Sequence, residues 1–204
     1  MKIVLITQGV SRLVHPLLES DHDVVGIIES AARNYGKSNN LCFDLISSIK
    51  NKIFKPRVTL KELAKRKNIP YFLFCNNTDQ QLSQWLVQKD ADLCVVFSMS
   101  RLLKKEIFSI PKHGTINLHP SFLPEYRGPN PDFWQYHDCE LSPGVTVHFV
   151  DEGEDTGGII CQQRGEVELG IKSTEILGEK AFLCFNSFIC CHFFNGYCQH
   201  VFSC

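Results

Sequence analysis

The chain has 204 residues, 21 Lys and Arg against 22 Asp and Glu, and a net charge of −1 with histidines neutral. That length suits one domain with enough interior for a covered sheet, and the near-neutral balance gives no reason to expect a general polyanion binder. No apolar run approaches the ~18 residues of a membrane span, no basic-then-apolar leader opens the chain, and the first-half cysteines sit singly in apolar runs, so reduced thiols in the cytoplasm are expected.

Lys2–Gln8 has a buried-strand pattern, Ser11–Glu19 reads as helical, and Asp23–Glu29 is a second strand rich in Val and Ile. This β-α-β opening predicts a Rossmann-like sheet. One glycine in Gln8-Gly9-Val10-Ser11-Arg12 is fewer than a phosphate-cradling loop needs, so the segment reads as a plain strand-to-helix turn. Ala31–Asn40 is a polar surface loop whose Arg33, Tyr35 and Lys37 can reach an anionic substrate. Cys42–Lys50 and Thr59–Lys67 read as helices, the second with Thr59 as its cap and Glu62 at the capping-box position. The basic run from Lys50 to Lys67 has no aromatic platform beyond Phe54, so it reads as a solvated face and no nucleic-acid partner is expected.

Pro70–Phe74 and Leu93–Phe97 read as strands, with Thr78–Lys89 between them as a helix capped by Thr78. Ser98-Met99-Ser100-Arg101-Leu102-Leu103 follows at the C-terminal end of the second, where open α/β sheets place ligands. Thr115–Leu118 is a short strand delivering Asn117 and His119, which alternation puts on one face. A loop holding Pro120, Pro124, Pro129 and Pro131 follows, stiffened by fixed φ angles. Gly144–Val150 is the next strand, Asp151–Gly158 an acidic, glycine-rich turn around Asp155, Ile159–Gln163 a last strand, and Ser173–Phe185 a helix. Residues 181–204 hold half of the cysteines and read as an atypical or truncated end of the domain. Cys190, Cys191, His192, Cys198 and His200 lack the Cys-x-x-Cys spacing of zinc sites, so no metal is expected.

An Asn-x-His pair with a later carboxylate in a rigid loop suits acyl-type chemistry. Asn-Leu-His-Pro-Ser-x-Leu-Pro-x-Tyr-Arg-Gly, then Gly-Val-Thr-Val-His-Phe-Val-Asp, then Asp-Thr-Gly-Gly-Ile-Ile together resemble the folate-dependent formyltransferases. That family includes glycinamide ribonucleotide, methionyl-tRNA and amino-sugar formyltransferases. The resemblance implies a mostly parallel, Rossmann-like α/β sheet with helices on both faces over residues 1–180. It implies transfer of a formyl group from 10-formyltetrahydrofolate to a primary amine through a tetrahedral oxyanion.

The same resemblance implies residue roles. Asn117 would donate to the oxyanion, His119 would stabilise it or move protons, and Asp155 would orient His119, raise its pKa and hold a shuttling water. Arg101, Leu102 and Leu103 would line the folate pocket, with Asp151 and Gly153 of the acidic turn. Tyr126–Trp134 looks most like the short enzymes that formylate amino sugars carried on nucleotides, with Arg127 as anion contact and Phe133 or Trp134 packing on a ring; loop anchoring is the competing role for each. Arg33 is a further candidate for the acceptor. The missing glycine- and asparagine-rich loop after the first strand counts against glycinamide ribonucleotide. Methionyl-tRNA, glycinamide ribonucleotide and an inactive folate-binding homologue stand as alternatives, and a homodimer is admitted. His113, His137 and His148 read as structural, and Asp151 and Glu152 as loop-shaping.

Overall fold

The run Lys2–Thr7 forms β1, and every residue after Lys2 is buried. In a computed structural model, which describes residues 1–32 and 58–165, β1 lies inside a seven-stranded sheet. Arg33 with most of its loop, the helices read at Cys42–Lys50 and Ser173–Phe185, and residues 181–204 lie outside the described residues. The other strands are β2 (Asp23–Ser30), β3 (Tyr71–Phe74), β4 (Leu93–Phe97), β5 (Thr115–His119), β6 (Gly144–Phe149) and β7 (Ile159–Arg164). Their order is β3-β2-β1-β4-β5-β6-β7. The first five pair in parallel, whereas β6 runs antiparallel to both β5 and β7. The sheet is therefore mostly parallel, as expected.

A strand covered on both faces must be apolar at consecutive positions. Ile3 and Leu5 pack on one side with α1 (Val14–Leu18) and α2 (Leu60–Arg66), through Val14, Leu17, Leu60 and Leu63. Val4 and Ile6 pack on the other with α3 (Asp79–Lys89) and α4 (Lys105–Phe108), through Leu82, Leu86 and Ile107. A short α5 (Pro131–His137) follows the proline-rich loop.

Three local expectations meet different outcomes. The capping box on α2 is complete: Glu62 N donates to Thr59 Oγ1 and Thr59 N to Glu62 Oε2. Thr78 does not cap α3 with its side chain; its hydroxyl closes the preceding turn, donating to the Cys75 carbonyl and accepting from the Cys75 amide. The helix read over Ser11–Glu19 is shorter, Val14–Leu18, because Pro16 has no N–H to give the Arg12 carbonyl. Gly9 adopts φ +67°, the left-handed turn that glycine allows, and Ser11 N closes it on the Gly9 carbonyl.

Candidate active site

Antiparallel pairing sets Asn117 of β5 opposite His148 of β6, and His119 opposite Thr146. Opposed residues, and residues two apart on one strand, share a face. Four polar side chains thus gather on one face of the pair, while Ile116, Leu118, Val145 and Val147 enter the core on the other. Beside this patch Val147 pairs with Cys161 but His148 pairs with Ile159, so β7 carries an extra residue there.

The loop after β6 folds back to bring Asp155 onto the patch. Asp155 holds φ +51°, a conformation aspartate tolerates better than most residues. The return is tight: a Cβ on Gly157 would lie 1.8 Å from the Phe149 carbonyl oxygen, so only glycine fits. Asp155 Oδ1 accepts from Asn117 Nδ2 at 3.1 Å and Oδ2 accepts from the Gly128 amide at 2.9 Å. His119 Nδ1 stands 3.4 Å from Oδ2 and His148 Nε2 3.5 Å from Oδ1.

The proline-rich loop completes the arrangement. His119 is buried, and its Nε2 donates to the Tyr126 carbonyl at 2.9 Å. The loop itself is strapped down by Thr146 Oγ1, which donates to the Ser121 carbonyl and accepts from Leu123 N and Gln162 Nε2. Gln162 Nε2 also donates to the Leu123 carbonyl.

Asn117, His119, His148 and Asp155 form the floor of a cleft of about 840 Å³. Its walls are the turns after β1 and β4, which lie side by side where the strand order reverses, together with the proline-rich and acidic loops. Ser100 ties the turn after β4 to the end of β2, its hydroxyl donating to the Ala31 carbonyl.

Burial sets the first-order electrostatics. It pushes His119 below the ordinary histidine value; the Asp155 charge and the Tyr126 hydrogen bond oppose this without reversing it. Asp155 does raise the His119 pKa, as expected, but desolvation outweighs the carboxylate and the net direction is down. Burial alone would raise Asp155, but His148, His119 and the Gly128 amide outweigh it and leave it below the usual carboxylate range. The His119 and His148 shares both require a proton on the ring nitrogen facing Asp155, so with those nitrogens bare the hydrogen bonds from Gly128 and Asn117 are what persist. Asp132 at the start of α5 keeps exposed surface, yet crowding by the cleft walls raises its carboxyl against the pull of Arg12 and His119.

A buried imidazole, a carboxylate and an amide converging on a cleft floor can move one proton and stabilise one oxyanion. Residues 2–181 match the family model described as formyl transferase. The chain belongs to the formyl transferase family. It is 32% identical over 158 residues to a methionyl-tRNA formyltransferase of Alkaliphilus oremlandii, covering 78% of this chain and 46% of the relative. It is 33% identical over 147 residues to another from Pelotomaculum thermopropionicum, covering 72% and 42%. The chain thus spans about half the length of the curated relatives it matches. In fold it is similar to a glycinamide ribonucleotide transformylase of Symbiobacterium toebii, with a TM-score of 0.70, 20% identity, and 93% and 85% of the two chains covered. A formyltetrahydrofolate deformylase of Pseudomonas syringae is similar at a TM-score of 0.69 and 20% identity, covering 92% of this chain and 59% of that one.

Against this formyl transferase frame, the residues expected at the site divide cleanly. Asn117, His119 and Asp155 are in mutual reach. Arg101, Leu102, Leu103, Asp151 and Gly153 all line the cleft. Arg101 donates to Asn76 Oδ1 and lies over the Phe74 ring, and Asp151 Oδ1 accepts from Gly153 N and Thr156 Oγ1. Leu103 is buried in the core beneath, whereas Leu102 is 59% exposed. Arg127, Phe133 and Trp134 are exposed and do not line the cleft; the two rings pack edge-on against each other.

The cleft residues outside the sequence expectations include His148, Arg12 and Asp132. His148 was read as structural, but it touches Asn117 and Asp155. The alternation Thr146, His148 was available as a signal; the pairing with β5 that makes it matter was not. Arg12 belongs to the turn passed over for lack of glycines, although its side chain needs none.

Proposed function

We propose that this chain transfers a formyl group from 10-formyltetrahydrofolate to a primary amine. The observation that carries the reading is the meeting of Asn117, His119 and Asp155 on the floor of one cleft. Residues 1–180 serve as the catalytic domain in this reading. The turn Arg101–Leu103 and the loop of Asp151 and Gly153 hold the folate, whose flat ring edges suit main-chain donors and acceptors in a narrow wall.

His119 takes the proton that the attacking amine must lose. With Nε2 donating to Tyr126, Nδ1 is the free lone pair, and a proton arriving there converts its contact with Asp155 into an ion pair. That gain appears only as the new C–N bond forms, which is where it lowers the barrier. The same proton is then available to the departing folate nitrogen. Asn117 gives an amide hydrogen to the oxyanion by exchanging it from Asp155 or His148, both of which it serves at rest.

The acceptor proposed is the amine of a nucleotide-linked amino sugar, on the strength of the Tyr126–Trp134 segment; Arg12 is its cation on the cleft wall, and Arg127, Phe133, Trp134 and Arg33 are the outer contacts that the sequence suggests. A second reading, methionyl-tRNA, is favoured by the names of the curated relatives. The test is release of tetrahydrofolate from 10-formyltetrahydrofolate by purified protein, with and without each amine. Turnover only when an amine is present supports transfer. Equal turnover in water alone indicates hydrolysis and overturns it, and no turnover indicates a folate-binding homologue.

A further inference from the structure

His148 is 2% exposed, and both of its ring nitrogens are engaged. Nδ1 lies 2.8 Å from the backbone carbonyl oxygen of Phe149. A carbonyl only accepts, so Nδ1 must carry a hydrogen. In the neutral ring this leaves a lone pair on Nε2, which lies 3.2 Å from Asn117 Nδ2. The other hydrogen of that amide goes to Asp155 Oδ1 at 3.1 Å. Turning the amide half a revolution would set its carbonyl against a carboxylate and an imidazole lone pair together. The Phe149 carbonyl thus dictates, through the His148 tautomer, which end of Asn117 faces which neighbour.

A doubly protonated ring would behave otherwise. Nε2 would become a donor, repel the Asn117 amide and turn to Asp155 Oδ1, now 3.5 Å away. The shorter contact, with hydrogen-bond geometry, is the one to Asn117. Phe149 cannot shift its carbonyl freely, because Gly157 packs against that oxygen.

We propose that His148 is a positioning residue that acts through Asn117, holding its amide in one of two orientations by presenting a bare Nε2. The kinetic part of the test rests on the formyl-transfer reading; the spectroscopic part does not.

Nitrogen NMR of the full chain at neutral pH, with the His148 signals assigned by their loss in His148→Gln, should show Nδ1 protonated and Nε2 bare. A protonated Nε2 overturns the proposal whether or not the protein has activity. In kinetics, His148→Phe should lower kcat about 10- to 100-fold, the effect of leaving a buried donor unsatisfied, with KM for the folate donor unchanged. His148→Gln, whose amide oxygen can accept from Asn117, should recover most of that loss. In an Asn117→Ala background His148→Phe should have no further effect. An equal loss in both backgrounds means that His148 acts elsewhere. Should His148→Phe fail to fold, the tautomer of the wild-type chain and the activity of His148→Gln decide the matter. Absence of transfer by the wild-type chain would sink the functional reading and leave the tautomer measurement standing.

Discussion

His119 Nδ1 faces Asp155 Oδ2 across 3.4 Å, while the Tyr126 carbonyl holds the opposite nitrogen of the ring at 2.9 Å. A neutral His119 therefore turns a lone pair toward a carboxylate. The pair is poised for a proton, and burial keeps the site empty of one over the neutral range. The consequences can be measured.

Asp155→Asn removes the charge that supports protonation of His119, so the His119 pKa should fall further. The acid limb of kcat against pH should move to lower pH, and kcat should drop by roughly 10²- to 10⁴-fold, the range for an impaired proton-transfer group. A limb that stays in place would show that His119 does not titrate in the reaction. His119→Ala should lose most transfer with folate binding retained, and the losses should not add because the groups act as a unit.

Stability should also depend on these two groups. The His119 value in the folded chain lies below its ordinary 6.5, so below that pH the unfolded chain binds the extra proton and folding weakens as pH falls. Asp155 contributes above its ordinary 3.8, and its contribution is lost as pH falls through its depressed folded value. Urea midpoints measured downward from neutral pH should fall less steeply in His119→Gln than in wild type. Parallel curves would remove His119 from the account.

Leu102 and Leu103 should separate binding from folding. Leu103 is 4% exposed among Val4, Ile6, Val96 and Ile107, and Leu103→Ala should cost about 2–5 kcal/mol of stability. Leu102→Arg, at an exposed position on the cleft wall, should leave the melting temperature alone and weaken a folate analogue. Unchanged affinity would move the folate elsewhere in the cleft.

Gly157→Ala should abolish transfer at modest cost to the fold. The new methyl meets the Phe149 carbonyl oxygen, the group that Nδ1 of His148 also uses. Asp155 is carried two residues away on the same turn. Full activity in the variant, assayed beside its circular dichroism, would mean that the loop has another way back to the sheet.

Anionic acceptors should separate two arginines. Arg12 lines the cleft and Arg127 does not, so Arg12→Ala should raise the acceptor KM more than Arg127→Ala, with folate affinity unchanged in both. The reverse order would place the acceptor along the outer side of the proline-rich loop.

Where geometry is local, the sequence is legible. The Thr59–Glu62 box and the shared face of Asn117 and His119 follow from spacing along one segment. Thr78 misled because its hydroxyl had two backbone partners within reach and took the turn. His148 was illegible for a different reason: its role arises from register with a strand far back in the chain, and periodicity carries no register between strands. The antiparallel turn of β6 has the same origin, since a run such as Gly-Val-Thr-Val-His-Phe alternates identically in either direction. Arg12 is illegible because a turn's glycine content says nothing of where its side chains end.

Thr146 Oγ1 knots together Ser121, Leu123 and Gln162. The loop it fastens supplies the Tyr126 carbonyl to His119 and the Gly128 amide to Asp155. Gln162 lies on β7, one of the two edge strands among the described residues, and lines no part of the cleft. An edge strand that lines no part of the cleft is thus joined by hydrogen bonds to the loop that partners both members of the proton pair.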